Sequence, residues 1–200
     1  YKAFGKRVFD VVFSLLGTVF FMPLFVGLAV FIKCSSKGPV FFKQTRMGKG
    51  GRLFYLLKFR TMYPDPVREK LDFEPGVQKR ITPLGKILRD TKLDELPQLF
   101  NVLIGHLSVV GPRPQVLKHK RFYSGQNEKI LSVRPGITIE ASFKYKDEEV
   151  MLSQIPDAEQ FYEAEVLPAK LKMDLDYVNR GISFIEDIKI LKETIKGLLG

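Results

Sequence analysis

Cysteine and histidine are scarce in this sequence. Cys34 is the single cysteine, and the two histidines, His106 and His119, lie apart from it and from each other. These residues exclude a disulfide framework and a zinc cluster, and they fit a protein of a reducing compartment. No thiol chemistry is indicated, and we expect both histidines to be structural or exposed.

Acidic residues are in the minority, with 22 Asp and Glu against 32 Lys and Arg, for a formal charge of +10. Such a charge predicts an anionic partner, but it does not choose between nucleic acid, anionic lipid and a phosphorylated small molecule. The 200 residues, 45% of them hydrophobic, suffice for one domain with a core or for a small domain with a membrane element.

Charge is absent from the 22 residues between Val11 and Ile32. A straight helix of this length spans roughly 33 Å, close to the ~30 Å of bilayer hydrocarbon, so we predict a membrane segment. A buried core helix is the weaker alternative, because such helices are usually shorter and carry a polar stripe. A signal peptide is disfavoured because the small-residue cleavage pattern is missing.

Pro23 predicts a kink near the middle of this segment. Positive charge prefers the cytoplasmic side of a membrane, so basic residues at both ends favour a bent helix that returns to the same face. A single kinked span remains the alternative. Asp10 is expected to pair with Lys6 or Arg7, one turn earlier. The flanking basic residues are Lys2, Lys6, Arg7, Lys33 and Lys37.

Two runs rich in β-forming residues flank the glycine-rich "GKGGR" and predict a hairpin with a loop of four or five residues. The spacing of a nucleotide-binding phosphate loop is absent. Lys58 and Arg60 would share a strand face if the second strand persists, as a phosphate clamp or as a solvated surface. Residues 65–80 are polar and rich in charge and include Pro66 and Pro75, which predicts a surface loop with a short helix.

Two helices are predicted next. Thr82 and Pro83 begin the first, which carries Arg89 near its end. Apolar residues spaced three and four apart define the second, which Gly105 ends. Proline is tolerated only in the first turn, so Pro97 places the start of the second helix at about residues 93–95. Its apolar residues are Leu96, Leu99, Phe100, Leu103 and Ile104.

Asp94 and Glu95 therefore lie at the positive end of a helix dipole, which favours their ionised forms by ~0.3–1 kcal/mol. One alternative is purely structural: Asp94 caps the helix, and the negative charge of Glu95 only interacts favourably with the helix dipole. Two adjacent carboxylates are otherwise best stabilised by a divalent cation or by Arg and Lys. Mg²⁺ suits them, because it takes one or two protein carboxylates with water and phosphate. Cations close in sequence are Lys86, Arg89 and Lys92.

Two arginines are set in rigid turns. Arg113 lies between Pro112 and Pro114, and Arg134 precedes Pro135. Proline restricts the backbone on either side, and the planar guanidinium can bind two phosphate oxygens at once. Together with the acid pair, these turns indicate a site for a polyanion.

The C-terminal part predicts further helices. Asp157 with Gln160, and Ser183 with Glu186, form capping pairs, and Pro168 is expected to interrupt the helix between them. The last helix has an apolar stripe opposite a row of lysines. This pattern predicts either a helix on the membrane surface or one that packs in the core. The stripe consists of Ile188, Leu191, Ile195 and Leu198, and the lysines are Lys189, Lys192 and Lys196.

These motifs together resemble the bacterial sugar transferase family, the monotopic polyprenol-phosphate phosphoglycosyl transferases. The resemblance covers nearly the whole chain, in "KRVFD", "GPVFFKQTRMGKGGRLFYLLKFRTM", "LGKILRDTKLDELPQLFNVLIGHLSVVGPRP" and "VRPGIT". With the residue patterns it predicts a mainly helical α+β fold. Residues 1–36 would form a re-entrant membrane helix kinked at Pro23. Residues 37–200 would form a catalytic domain with a β-hairpin and amphipathic helices at the membrane surface.

The resemblance implies an enzyme on the cytoplasmic face of the bacterial inner membrane, in the first membrane step of glycoconjugate biosynthesis, including exopolysaccharide. It would transfer a sugar 1-phosphate from a nucleotide diphosphate sugar, usually a UDP-sugar, to polyprenol (undecaprenyl) phosphate, with Mg²⁺ and without nucleic acid. Asp94 would be the nucleophile of a covalent intermediate formed as UMP leaves. Glu95, with Asp94, would support the metal. The phosphate-binding candidates are Lys58, Arg60, Arg89, Arg113 and Arg134.

The chain departs from the family pattern at two places. Met22 stands where many members have Ser before the proline, and "IEASFKYKDEE" follows Thr138 in place of Gly-Leu-x-Gln. The second departure leaves the residues that contact the base or sugar unassigned. Two other functions remain as alternatives. One is a membrane-anchored basic module that binds nucleic acid or anionic lipid, and the other is a metal-dependent pyrophosphatase acting on nucleotide sugars.

Overall fold

A computed structural model describes residues 4–65 and 80–199 of the chain. In these ranges the protein is mainly helical, with two small two-stranded sheets. This agrees with the predicted α+β class. The surface loop predicted for residues 65–80 falls outside the described residues except at its two ends.

The N-terminal segment consists of α1 (Phe4–Phe20) and α2 (Met22–Ser35), which meet at an angle of 61°. Pro23 lies in the first turn of α2, where a helix does not need its missing amide donor. The predicted kink is confirmed. Within the described ranges, neither helix alone has the length and hydropathy of a membrane span, whereas the bent pair taken together does.

Helix α1 has a polar stripe at intervals of four residues that is buried, while much of its apolar surface is exposed. The buried stripe is Lys6, Asp10, Ser14 and Thr18. In the described ranges Asp10 forms no direct ion pair with Lys6 or Arg7, although the charges of both attract it. Asp10 Oδ1 instead accepts hydrogen bonds from Val109 N and Ser108 Oγ, both at 2.9 Å. The outward apolar side chains include Phe4, Leu16, Val19 and Phe20. This distribution is the inverse of a surface helix in water.

The predicted hairpin is confirmed, with β1 (Phe41–Met47) antiparallel to β2 (Leu53–Phe59). Five residues connect the strands, and a 3₁₀ turn at Lys49–Gly51 lies within this loop. Gly50 and Gly51 have φ angles of 65° and 72°, a region that favours glycine over residues with a Cβ atom.

The first predicted helix is α3 (Pro83–Asp90), and Thr82 Oγ1 accepts a hydrogen bond from Gly85 N at 2.8 Å as the expected cap. The second, α4, runs from Gln98 to Ile104. Its predicted start, at residues 93–95, is therefore three to five residues too early. A separate 3₁₀ turn (Leu93–Glu95) precedes it, because Lys92 adopts a left-handed conformation with φ 57° and the backbone bonds close over three residues.

The two Arg-Pro turns lie beside each other because β3 (Ser108–Val110) pairs in parallel with β4 (Gly136–Thr138). The backbones approach closely at Gly111 and Gly136. A Cβ atom on Gly136 would lie 2.1 Å from Gly111 N, so a side chain there requires the turns to separate.

The C-terminal part contains α5 (Glu140–Lys144), α6 (Glu148–Ser153), α7 (Ala158–Phe161), α8 (Leu167–Arg180) and α9 (Phe184–Leu199). Both predicted caps are confirmed, since Gln160 N donates to Asp157 Oδ1 and Glu186 N donates to Ser183 Oγ. The predicted interruption at Pro168 is wrong. A π-helical turn at Tyr162–Val166 joins α7 to α8, and the wider turn accommodates the proline.

Helix α9 packs on the core through a face that includes Asp187 and Ile190. The predicted apolar stripe lies to one side of this face: Ile188 and Leu191 are half-buried, and Ile195 is 56% exposed. The stripe is therefore only partly used for packing. Its contact with a membrane surface stays a prediction.

Candidate active site

Four of the predicted site residues come together on three separate elements. Lys58 lies on β2, Asp94 and Glu95 lie in the 3₁₀ turn, and Arg113 lies in the rigid turn after β3. Glu95 Oε1 accepts hydrogen bonds from Lys58 Nζ and from an Arg113 terminal nitrogen, both at 2.7 Å. Lys58 Nζ is also 3.8 Å from Asp94 Oδ2. The acid pair is thus bound by two cations that are remote in sequence.

An amide side chain fixes β2 against the acid-bearing segment. Asn101 of α4 donates from Nδ2 to Tyr55 O at 2.8 Å and accepts from Leu57 N at 2.9 Å. It therefore replaces a neighbouring strand at this edge of β2. The residue next to Leu57 is Lys58, so this contact sets the position of the lysine relative to the acids. Nothing in the sequence pattern had singled out Asn101.

Glu95 is held in its charged form. Burial opposes its ionisation, but the charges of Arg113 and Lys58, with their hydrogen bonds, outweigh this and hold the pKa of Glu95 well below its ordinary value. The two cations offset part of the repulsion that the Glu95 carboxylate exerts on Asp94. The like charges at residues 94 and 95 therefore stand together at reduced cost.

Asp94 has a different environment. Its side chain is buried, and among the described residues Oδ1 has no hydrogen-bond partner. Burial raises the pKa of Asp94, Lys58 counteracts this in part, and Glu95 raises the pKa further. The alternative in which Asp94 caps the helix is wrong for this structure. In the described ranges, neither the 3₁₀ turn nor α4 has a side-chain cap hydrogen bond.

The acid pair fits a magnesium ion better than a metal bound by protein ligands alone. The described ranges contain no group of three or more His, Cys, Asp or Glu residues placed to hold a metal. Mg²⁺ needs only one or two carboxylates when water and phosphate complete its shell. A buried carboxylate oxygen without a hydrogen-bond donor, such as Asp94 Oδ1, is suited to a cation.

Arg89 lies beside this group. Its Nε donates to Thr61 Oγ1 at 2.9 Å, and its charge, like that of Lys92, lowers the pKa of Asp94 against the larger effect of burial. Lys86 points elsewhere and pairs with Asp90 at 2.7 Å on the surface of α3. Of the three cations close in sequence, Arg89 and Lys92 act on the acid pair.

The structure places Arg60 and Arg134 away from the acids. Arg60 donates to Ile32 O at 3.3 Å, Ser36 O at 2.8 Å and Lys37 O at 3.1 Å, at the carboxyl end of α2. A joint phosphate clamp of Lys58 and Arg60 has no support from this placement, and the buried Arg60 does not form a solvated strand face either. Helix carbonyls carry partial negative charge and attract a guanidinium.

Arg134 Nε likewise donates to Gly105 O at 3.1 Å, at the carboxyl end of α4. Arg7 binds the same end through Val102 O at 2.6 Å and Leu103 O at 2.8 Å. Both arginines thus bind the carboxyl end of α4. A predicted role of Arg134 in binding phosphate has no support from this placement.

Sequence reasoning missed a second group of buried charges next to Arg113. Lys170 Nζ lies 2.5 Å from Glu148 Oε2, and Asp174 is buried one helical turn beyond Lys170. No pattern revealed these residues, because α6 and α8 are rich in charge and the pairing spans 22 positions. His119 is buried too, which lowers its pKa to about 4 and keeps it neutral at pH 7.

The buried carboxyl group of Asp174 should make the stability of the protein depend on pH. Burial raises the pKa of Asp174 to about 8 from an ordinary 3.8, so the folded state holds a proton that the unfolded state loses. The free energy of unfolding should therefore fall as the pH rises from about 4 to 8, by on the order of a few kcal/mol. We expect Asp174→Asn to reduce this fall and to unfold at a higher temperature than the wild type at pH 8.

Thermal unfolding of the detergent-solubilised protein at several pH values measures this effect. Asp176→Asn, two residues away on the exposed side of α8, serves as the matched control and should behave as the wild type. Parallel pH profiles for the wild type and Asp174→Asn would show that the carboxyl group is ionised in the folded state, contrary to the prediction.

The profile of the family described as bacterial sugar transferase matches residues 1–200. A UDP-glucose:undecaprenyl-phosphate glucose-1-phosphate transferase of Caulobacter vibrioides is 37% identical over 203 residues, covering 97% of this chain and 69% of the relative. A UDP-N-acetylgalactosamine-undecaprenyl-phosphate N-acetylgalactosaminephosphotransferase of Aeromonas hydrophila is 33% identical over 205 residues, covering 98% and 44%.

Exopolysaccharide production protein PSS of Rhizobium leguminosarum bv. phaseoli is 47% identical over 113 residues, or 54% of each chain. The chain thus spans well under two thirds of some relatives and about two thirds of another. Because the match covers every motif around the acid pair, this chain belongs to the bacterial sugar transferase family.

Proposed function

We propose that this protein transfers a sugar 1-phosphate from a UDP-sugar to undecaprenyl phosphate, through a covalent intermediate on Asp94. The observation that carries the proposal is the contrast within the acid pair. Glu95 is bound by Lys58 and Arg113, whereas Asp94 has a carboxylate oxygen without a hydrogen bond in the described structure. The names of the relatives support the kinds of donor and acceptor.

The reaction takes two displacements at phosphorus. An Asp94 oxygen attacks the phosphorus that carries the sugar, the bond from this phosphorus to the bridging oxygen breaks, and UMP leaves with that oxygen. An oxygen of undecaprenyl phosphate then attacks the same phosphorus. The bond to Asp94 breaks, the carboxylate is restored, and the product is the lipid diphosphate sugar. Two steps allow a soluble donor and a lipid acceptor to use one site in turn.

Cations make carboxylate attack on a diphosphate feasible, because both reactants are negative. Lys58, Arg113 and Arg89 surround the acid pair and supply positive charge for the phosphate oxygens. Asp94 and Glu95 would hold Mg²⁺. When bound, the ion stabilises negative charge on the phosphates and on the carboxylates.

The N-terminal helices support a membrane location, which we propose to be the cytoplasmic face with α1 and α2 as a re-entrant segment. The polar stripe of α1 faces the protein, and many apolar side chains of both helices are exposed. Phe25, Leu28 and Ile32 of α2 share a hydrophobic cluster with Leu93 and Leu96, the residues that flank the acid pair. The candidate nucleophile is therefore next to the segment that would enter the membrane, where a lipid phosphate is accessible.

Intact-mass measurement tests the proposal. We expect detergent-solubilised protein with Mg²⁺ to gain the mass of a sugar phosphate from at least one member of a panel of UDP-sugars, with release of UMP. Adding undecaprenyl phosphate should remove this mass. Release of free sugar 1-phosphate without lipid acceptor would instead indicate a pyrophosphatase. Absence of an adduct and of acceptor-dependent UMP with every donor would refute the transfer.

A further inference from the structure

Two acidic groups attract the guanidinium of Arg113. Glu95 binds it directly at 2.7 Å. Glu148, at the start of α6, acts on it through its charge. The charge of Glu95, and to a smaller extent that of Glu148, raises the pKa of Arg113 against the effect of burial. Arg113 is therefore attracted by Glu148, which lies outside both the acid pair and the 3₁₀ turn that carries the pair.

Glu148 is itself fixed by Lys170. The Lys170 ammonium lies 2.5 Å from Glu148 Oε2 and is only 6% exposed. It also lies 5.6 Å from the ring centre of Tyr162 and 5.8 Å from that of Tyr145, within reach of cation–π attraction. Asp174 follows one turn later on α8.

The same group of residues contacts the turn that carries Arg113. Tyr162 OH lies 3.5 Å from Oε1 of Gln115, two residues after the arginine. Pro114, between Arg113 and Gln115, is bound separately from β1: its carbonyl oxygen accepts a hydrogen bond from Arg46 at 3.0 Å. Tyr162 begins the π-helical turn, a feature often found at functional sites. The C-terminal helices therefore reach the Arg113 turn through side chains as well as through charge.

A buried ion pair has no general advantage in stability over an apolar pair of the same size. The Lys170–Glu148 pair accordingly calls for an explanation beyond packing, and its position next to Arg113 offers one. We propose that Glu148 and Lys170 are positioning residues that hold the Arg113 guanidinium at Glu95 and at the donor phosphate. Glu148 attracts the guanidinium through its charge, and Lys170 fixes Glu148. This inference rests on the proposed function.

The test replaces the pair by uncharged side chains of similar size, Lys170→Met with Glu148→Gln, which leaves no buried charge unpaired. A misplacement of about 1 Å can reduce a rate by about 10²-fold. We expect the rate of adduct formation to fall about 10- to 100-fold, with a higher KM for the UDP-sugar and a near-normal unfolding temperature. Lys172→Met, exposed on the same helix, is the matched control and should retain the wild-type rate.

A double-mutant cycle separates positioning from a purely structural role. In an Arg113→Lys background, which lacks the guanidinium, the uncharged pair should change the remaining rate by less than about twofold. A structural defect would instead add its full effect in both backgrounds and would overturn the proposal. So would an uncharged pair with wild-type rate and KM. If the wild type forms no adduct at all, the transfer itself fails, which is a separate outcome.

If the wild type forms no adduct, a measurement without substrate can still test the positioning role. In protein labelled with ¹⁵N-arginine, the guanidinium signals of Arg113, assigned by their loss in Arg113→Lys, should show restricted rotation in the wild type. They should broaden or average in the uncharged pair. Unchanged Arg113 signals would contradict the positioning role even if the enzymatic function were wrong.

Discussion

Replacing Asp94 by Asn should reduce formation of lipid-linked sugar phosphate by about 10⁴- to 10⁶-fold, the range found when a nucleophile or its essential partner is lost. The amide has nearly the shape of the carboxyl group but carries no negative charge to attack phosphorus. The adduct in the intact-mass measurement should disappear together with the turnover. The assay is acceptor-dependent release of UMP from a UDP-sugar.

This loss should occur in a folded protein. The Asp94 side chain is buried and burial raises its pKa, so a neutral amide removes a charge that the site disfavours in the absence of ligands. We expect the unfolding temperature of Asp94→Asn to equal or exceed that of the wild type. Asp90→Asn, on the exposed side of α3, is the control and should keep its rate within about twofold. Full activity in Asp94→Asn would exclude Asp94 as the nucleophile.

Replacing Lys6 by Met should destabilise the protein by about 3–5 kcal/mol, the cost typical of removing one partner from a buried ion pair. Lys6 of α1 lies 2.6 Å from Asp187 of α9, and Asp187 is 0% exposed. Without the lysine this carboxylate keeps a hydrogen bond from the Tyr177 hydroxyl at 2.8 Å but loses the positive charge of Lys6. The measurement is denaturant or thermal unfolding in detergent.

The double variant Lys6→Met with Asp187→Asn is the informative comparison. It removes both charges of this ion pair, and the Asn oxygen can still accept from Tyr177. We expect it to recover most of the stability that the single variant loses. Lys189→Met, exposed on α9, should differ from the wild type by no more than about 0.5 kcal/mol. An unfolding curve of Lys6→Met that matches the wild type would show that the contact between α1 and α9 does not depend on this ion pair.

The sequence by itself determined the features that depend on neighbouring residues. Thr82, Asp157 and Ser183 cap helices because their side chains reach amides only three residues away. Pro23 bends the first segment, and the glycines at 50 and 51 close the hairpin, through their own backbone restrictions or freedom. The acid pair and the rigid Arg113 turn are equally local. They could be recognised as candidate site residues before any contact between them was known.

Only the tertiary structure decided which cations meet the acids. Lys58 and Arg60 are two positions apart, yet Lys58 binds Glu95 and Arg60 binds the end of α2. Each cation binds the oxygen atoms that the packed helices place within its reach. Arg113 joins the acids, whereas Arg134 in a similar Arg-Pro setting binds the end of α4. The pairing of Glu148 with Lys170 likewise depends on how α6 packs against α8. Such contacts join distant parts of the chain, so they depend on the packing of whole elements, which local sequence patterns do not specify.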